Sequence, residues 1–229
     1  MVIETSKSYN FNPPLGTLIL NAFQRCGVRP TELTATHISQ GQMAANFVLA
    51  ELAVLQPNLW VVSLQSIPLL QGSATYTVPA ETVMITDLYI SYGTPNTDRF
   101  LYPISRTEYA SIPNKTTQAF PNQFWFDRLI SPTITFWPVP DGNGPYVARY
   151  YSVRQTQDAV LANGLTVEVP FRFLDAYQCG LAWKLAELYA PQMEDKLFAR
   201  YNRALSLAQN QDQENVPLYL VPTISGYYR

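Results

Sequence analysis

Residues able to do chemistry are few in this chain, and they are scattered. His37 is the only histidine, so a metal site built on two or more imidazoles is excluded. It falls early in an expected helix, beside Thr36 and Ser39, where a solvated or capping ring is a better reading than a base. Cys26 and Cys179 are the only thiols and lack a CxxC spacing. Both fall in helical patterns and read as buried side chains of a protein made in a reducing cytoplasm. There is no G-x-S-x-G, Walker A or G-x-G-x-x-G, and Gly142 and Gly144 read as parts of a turn. Hydrolysis of a glycoside needs an acid of raised pKa close to the scissile bond. Glu187, between Ala186 and Leu188 in an apolar helix, is the carboxylate that burial would tune in this way. No partner carboxylate accompanies it, and a salt bridge or the wet edge of the helix is the better reading. The expectation is a chain with no catalytic residue, no metal and no cofactor: not an enzyme.

The cations are also dispersed. Lys196, Arg200 and Arg203 follow one another at steps of four and three, so they share one helix face. With Glu194 and Asp195 nearby they form either a solvated face or a contact for an acidic partner or for phosphates in a channel. Arg149, Arg154 and Arg172 stand apart. Fifteen basic against 17 acidic residues give a net charge of −2, and no basic run appears, so a wide grip on nucleic acid is not expected. Trp125, Trp137 and the pair Tyr150-Tyr151 are the aromatics from which a carbohydrate-binding face would be built, although core packing accounts for them as well.

The elements that must carry these residues come from composition and period. Of 229 residues, 47% are hydrophobic and only 14% charged, against roughly 25% charged in ordinary soluble domains. A core is therefore expected. The low-charge surface, rich in tyrosine (15 residues), fits either a protein largely covered by neighbours or a monomer with polar uncharged loops. No basic-then-apolar leader and no span of about 20 apolar residues is present, so no membrane contact is expected.

Leu15, Leu18, Ile19, Ala22, Phe23 and Cys26 predict a first helix that Gly27 ends. A second helix is expected over 34–55, with Ala44, Phe47, Val48 and Leu55 on its face, and Gly41 inside it at a close helix contact. Strands are expected over 60–70, 74–78, 82–92, 99–104, 123–128, 133–137 and 146–155, with one helical turn at 105–111. Asp141-Gly142-Asn143-Gly144 predicts a hairpin loop between the last two strands. Helices resume over 169–190 and 192–211. In the first of these, Phe171, Leu174, Tyr177, Leu181, Leu185 and Leu188 make one stripe, and Phe173, Ala176, Gly180 and Trp183 make another. Residues 209–214 should fray.

The last residues, Val216-Pro217-Leu218-Tyr219-Leu220-Val221-Pro222-Thr223-Ile224-Ser225-Gly226-Tyr227-Tyr228-Arg229, are too apolar for a free terminus and too proline-broken for a helix. They need a surface to lie on, and that surface points to another protein. The fold class is thus α+β: a helical bundle over 1–57 and 161–212, a β-rich insertion over 58–160 between two helix pairs, and an extended C-terminal arm over 213–229.

Several stretches, taken in order, resemble the head-to-tail adaptor proteins of tailed phages, also called head-completion or packaged-DNA stabilisation proteins. These are Arg25-Cys26-Gly27-Val28 at the end of the first helix, Tyr102-Pro103-Ile104-Ser105-Arg106-Thr107-Glu108-Tyr109, and Ile112-Pro113-Asn114-Lys115. They continue with Phe120-Pro121-Asn122-Gln123-Phe124-Trp125-Phe126-Asp127-Arg128, Thr133-Ile134-Thr135-Phe136-Trp137-Pro138-Val139-Pro140-Asp141 with Tyr150-Tyr151, and Val169-Pro170-Phe171-Arg172 opening a helix to Tyr189-Ala190-Pro191. The likeness spans nearly the whole chain. It implies a ring, usually of twelve copies, assembled in the host cytoplasm and sited at the head-tail junction of the virion. There it would close the head, help retain packaged DNA and dock a downstream tail or nozzle protein, while double-stranded DNA passes through transiently. The arm would then bind the portal protein or a neighbouring subunit through Leu218, Tyr219, Leu220, Val221, Ile224, Tyr227, Tyr228 and Arg229. Lys196, Arg200 and Arg203 would contact an acidic partner or the channel contents. The alternatives from other classes are a virion-associated peptidoglycan hydrolase and a β-sheet carbohydrate-binding module.

Overall fold

The computed structural model describes residues 7–55, 59–93, 97–162 and 164–212. The arm over 213–229, with every portal-binding residue expected on it, lies outside the described residues. The chain is an α+β protein of two compact units, one made of Met1–Ala44 with Leu161–Arg229 and the other of Ala45–Val160.

The first unit is helical. Helix α1 (Leu15–Arg25) buries Leu15, Leu18, Ile19, Ala22 and Phe23, the stripe that the three- and four-residue steps require. Gly27, at φ 85°, ends it. The Gly27 amide donates to the Gln24 carbonyl and the Val28 amide to the Phe23 carbonyl, each at 3.0 Å, so the last carbonyls are satisfied by a left-handed turn that glycine adopts without strain. Helix α2 (Ala35–Leu55) begins in this unit. A Cβ on Gly41 would stand 2.6 Å from Ile19 Cγ2, so the absent side chain is what lets α2 approach α1.

Helix α4 (Leu174–Tyr189) packs on α1 and on α5 (Glu194–Gln211). It buries Leu174, Ala176, Tyr177, Cys179, Gly180, Leu181, Ala182, Leu185 and Ala186, the two-sided burial of a central helix. The expected start at 169 is corrected. Pro170 leads into a single 3-10 turn, Phe171–Phe173, before α4 begins. Phe171 therefore leaves the expected stripe and is exposed, and Leu188, near the other end of α4, is exposed as well. Helix α5 buries Leu197, Tyr201, Ala204, Leu205 and Ala208. It ends at Gln211, the expected bound, and Asp212 beyond it is tied to Arg172.

The second unit contains the rest of α2 and two four-stranded sheets. One has the order β1-β8-β3-β4, with β1 Val62–Leu69, β8 Tyr146–Arg154, β3 Thr82–Tyr92 and β4 Thr97–Phe100. The other has the order β2-β7-β6-β5, with β2 Thr75–Thr77, β7 Thr133–Trp137, β6 Gln123–Asp127 and β5 Tyr102–Pro103. Leu69, Leu88, Ile90, Tyr146, Ala148 and Tyr150 from the first sheet meet Phe124, Ile134 and Phe136 from the second in one core. This is the face-to-face packing that period-2 strands allow. Helix α3 (Arg106–Ser111) starts at a capping box, Ser105 Oγ accepting from the Glu108 amide at 3.1 Å and Glu108 Oε2 accepting from the Ser105 amide at 2.6 Å.

Two further expectations fail here. Strands β7 and β8 are not a hairpin, since they lie in different sheets, and residues 138–145 carry the chain from one sheet to the other. Neither Gly142 nor Gly144 takes a positive φ. Asp141 shapes this crossing, accepting hydrogen bonds from Tyr146 Oη at 2.7 Å and from the Asn143 amide at 3.0 Å. Second, Phe47 and Leu55 of α2 are exposed, while Ala45, Val48, Leu49 and Leu52 are buried.

Candidate functional site

The catalytic candidates are accounted for one by one. His37 Nδ1 accepts the Thr34 amide at 3.1 Å and pairs with Thr34 Oγ1 at 2.6 Å. It thereby serves the open amide ahead of α2 as the third residue of a capping box does. Its ring lies against Phe23 and Tyr189, at 5.6 and 4.8 Å between centroids. Cys26 and Cys179 are both buried free thiols. Cys26 Sγ donates to the Ala182 carbonyl at 3.3 Å, and burial pushes its pKa up to about 11. A thiol held protonated is a poor nucleophile. Burial, and behind it the Asp175 charge, also raises the Cys179 thiol. Glu187 is exposed on α4, at the wet helix edge preferred for it over a buried acid.

In the sandwich unit a cleft is lined by Glu81, Arg154, Gln155, Thr156, Gln157 and Asp158. Its two carboxylates are exposed, so water solvates them. No group of three or more His, Cys, Asp or Glu side chains able to hold a metal exists among the described residues.

Three of the four aromatics proposed for a glycan face are engaged internally, while Tyr151 is 39% exposed. Trp125 stacks on Tyr109 at 5.3 Å, with Arg106 over its other side at 5.5 Å and Lys115 over Tyr109 at 5.7 Å. Arg106 is in turn paired with Asp127 at 2.7 Å, and Lys115 Nζ donates to the Ala110 and Ile112 carbonyls. Trp137 Nε1 donates to the Asn114 carbonyl at 3.2 Å, and Tyr150 is buried.

What remains open lies on the helical unit. Lys196, Arg200 and Arg203 are all exposed on α5, brought together as their spacing requires. They make no hydrogen bond or ion pair among the described residues. No acidic residue falls on α5 after Asp195. Close by in the sequence, Phe198 is exposed and rests on Trp183 at 4.8 Å, and Trp183 stacks on Tyr201 at 5.5 Å. A second open region was missed in the sequence. Phe171, placed in a buried stripe by its period, stands 75% exposed and meets Phe11 edge-on at 6.4 Å. The available signal was Pro170, whose fixed φ and missing amide favour a helix start or turn over a helix interior.

This chain uses its thiols, its histidine and three of the four singled-out aromatics in its own packing, and it leaves a cation row and some apolar rings exposed. It belongs to the SU10 adaptor protein family, whose sequence pattern matches residues 17–221. That is a family of phage head-tail adaptors, and the chain is accordingly a structural adaptor of a phage particle. No curated protein matches it significantly. No helix among the described residues is long and apolar enough to cross a membrane.

Proposed function

We propose that the protein forms a ring, of twelve copies as the family resemblance implies, between the portal and the tail of the virion. It closes the filled head, helps retain packaged DNA and docks the next tail component. Its work is done by binding energy without bond chemistry. The observation that carries this reading is the open cation row and exposed rings of the helical unit in a member of an adaptor family. The row of Lys196, Arg200 and Arg203 meets an acidic partner or passing phosphates. A conduit favours few such contacts, because each one strengthens binding and slows sliding, and a net charge of −2 suits passage. The arm, through Leu218–Val221, Ile224 and Tyr227–Arg229, grips the portal. The ring forms on the portal as template, so the purified chain is a monomer or weak oligomer at micromolar concentration. Negative-stain images of the chain mixed with its portal test the proposal: rings capping the portals are expected, and bare portals beside free monomers would overturn it.

A further inference from the structure

The sandwich unit carries an apolar groove. Along the second half of α2, Phe47, Ala50 and Val54 follow one another at steps of three and four, on one side of the helix, and all three are exposed. Phe47 is 59% and Val54 86% exposed, where the outward side of a surface helix is ordinarily polar. Together with Val83 and residues 155–158 they line a groove of about 450 Å³. Its walls are fixed. Asn46 Nδ2 donates to the Ala159 carbonyl at 3.1 Å, Asn46 Oδ1 accepts from the Ala159 amide at 2.9 Å, and the Gln155 amide donates to the Glu81 carbonyl at 2.8 Å. Residues 155–158 also line the cleft that holds Glu81 and Arg154, so the apolar groove runs into an end with two carboxylates and one guanidinium. Glu81 and Asp158 are exposed there, and Arg154 Nη1 donates to the Gln155 carbonyl at 3.1 Å. Among the described residues no lysine lines either part.

The helical unit carries the complement. Lys196, Arg200 and Arg203 continue to Leu207 at steps of four, three and four, so the four share a face of α5. All four are exposed, Leu207 by 62%. The row spans about 16 Å and the stripe from Phe47 to Val54 about 10 Å, at a rise of roughly 1.5 Å per residue. A row of cations ending in an apolar side chain thus matches an apolar groove with an acidic end, and helices seat in grooves by anchors at such spacings.

We propose that the groove is filled by α5 of a second copy of this chain. Leu207 lies against Phe47 and Val54, and Arg200 and Arg203 reach toward Glu81 and Asp158. The proposal rests on the ring reading above and names the contact between its copies. Groove and row are different faces, one on each unit, so the contact is heterologous. Such contacts build rings or filaments and do not close into a symmetric pair. A single helix in a groove buries less than the ~1,200 Å² at which standard interfaces begin, so free chains associate weakly and a template gathers them.

Two measurements without portal decide it. In the first, Val54→Cys and Leu207→Cys chains are purified apart, mixed at near-millimolar concentration and oxidised. The native thiols, 5% and 6% exposed, stay out of the reaction. The mixed disulfide should form several-fold faster than when Tyr9→Cys, at a site 95% exposed, replaces Leu207→Cys; an equal rate overturns the proposal. The second follows self-association by sedimentation at the same concentration. Glu81→Lys/Asp158→Lys and Arg200→Glu/Arg203→Glu should each weaken it several-fold with unchanged circular dichroism. Mixed together they should regain it, because each variant then meets a face of opposite charge. A wild-type chain that stays monomeric, or a mixture that regains nothing, overturns the proposal. So do charge variants that keep self-association and lose only retention on duplex DNA, which would give the row to phosphates. Rings on portals without the mixed disulfide would remove this contact and leave the ring reading standing, whereas bare portals would remove the ring.

Discussion

The helical unit and the sandwich unit use the same kinds of side chain to opposite ends. In the sandwich, Arg106, Trp125, Tyr109 and Lys115 stack into one ladder whose cations also find Asp127 and backbone carbonyls. Asp141 accepts from Tyr146 and Asn143, contacts that hold its carboxyl below the usual range, the Tyr146 bond foremost. On the helical unit, Lys196, Arg200 and Arg203 face solvent, and Phe11 and Phe171 meet edge to face and stay exposed. Residue type alone does not mark a binding surface. Cations and aromatics that complete one another serve the fold, and those left open are available for a partner.

The comparison can be broken first at the sandwich core. Phe136→Ala removes a fully buried ring shared by both sheets, and urea unfolding should show a loss of about 3–5 kcal/mol. A loss below ~1 kcal/mol would mean the two sheets do not share a tight core. A matched pair of glycines sharpens the account of the helices. At Gly41 an added Cβ meets Ile19 at 2.6 Å, whereas at Gly16 it meets Leu161 at an ordinary 3.9 Å. Overpacking at Gly41 costs about 1–3 kcal/mol, which exceeds the gain of roughly 1 kcal/mol from alanine's helix propensity. Gly41→Ala should lower Tm and Gly16→Ala should hold or raise it; the same sign at both sites would contradict the close contact of α1 and α2.

Ser105→Ala should cost about 1 kcal/mol, the usual worth of a helix cap. Its pH dependence has a definite sign. The backbone and side-chain hydrogen bonds to Ser105 lower the Glu108 pKa. The reciprocal contribution is therefore present above the ordinary carboxylate pKa and is lost as pH falls through the lowered, folded one. Thermal melts of wild type and variant should draw closer as pH drops through that window without merging, because the bond from the Glu108 amide to Ser105 Oγ does not titrate. The smallest effect is expected where the groups are open. Lys196→Gln/Arg200→Gln/Arg203→Gln should change stability by no more than about 0.5 kcal/mol, while weakening association with the portal or with DNA and flattening its salt dependence.

Much of this was legible in the sequence because it depends on local period. The cation row of α5 follows from steps of four and three, and the close contact at Gly41 follows from a glycine inside an otherwise apolar helix. Some of the failures come from contacts distant along the chain, others from local backbone. Asp141-Gly142-Asn143-Gly144 carries every local mark of a hairpin, yet Tyr146, Ala148 and Tyr150 pair with β1 and β3 on the other sheet. Phe171 keeps the helical period, but Pro170 opens a 3-10 turn and aims the ring outward. Phe47 fits a helical stripe whose buried side is set by packing within its unit. Glu187, by contrast, was read at the wet edge of its helix and does face water, because sequence neighbours on a helix point in different directions.

The central proposal is that this chain acts by gripping the portal through its arm. Co-sedimentation with portal rings, comparing the full chain with one ending at Asp212, tests it most directly. The account predicts that the shortened chain keeps its circular dichroism spectrum and Tm and loses portal binding. Undiminished binding by the shortened chain would contradict it.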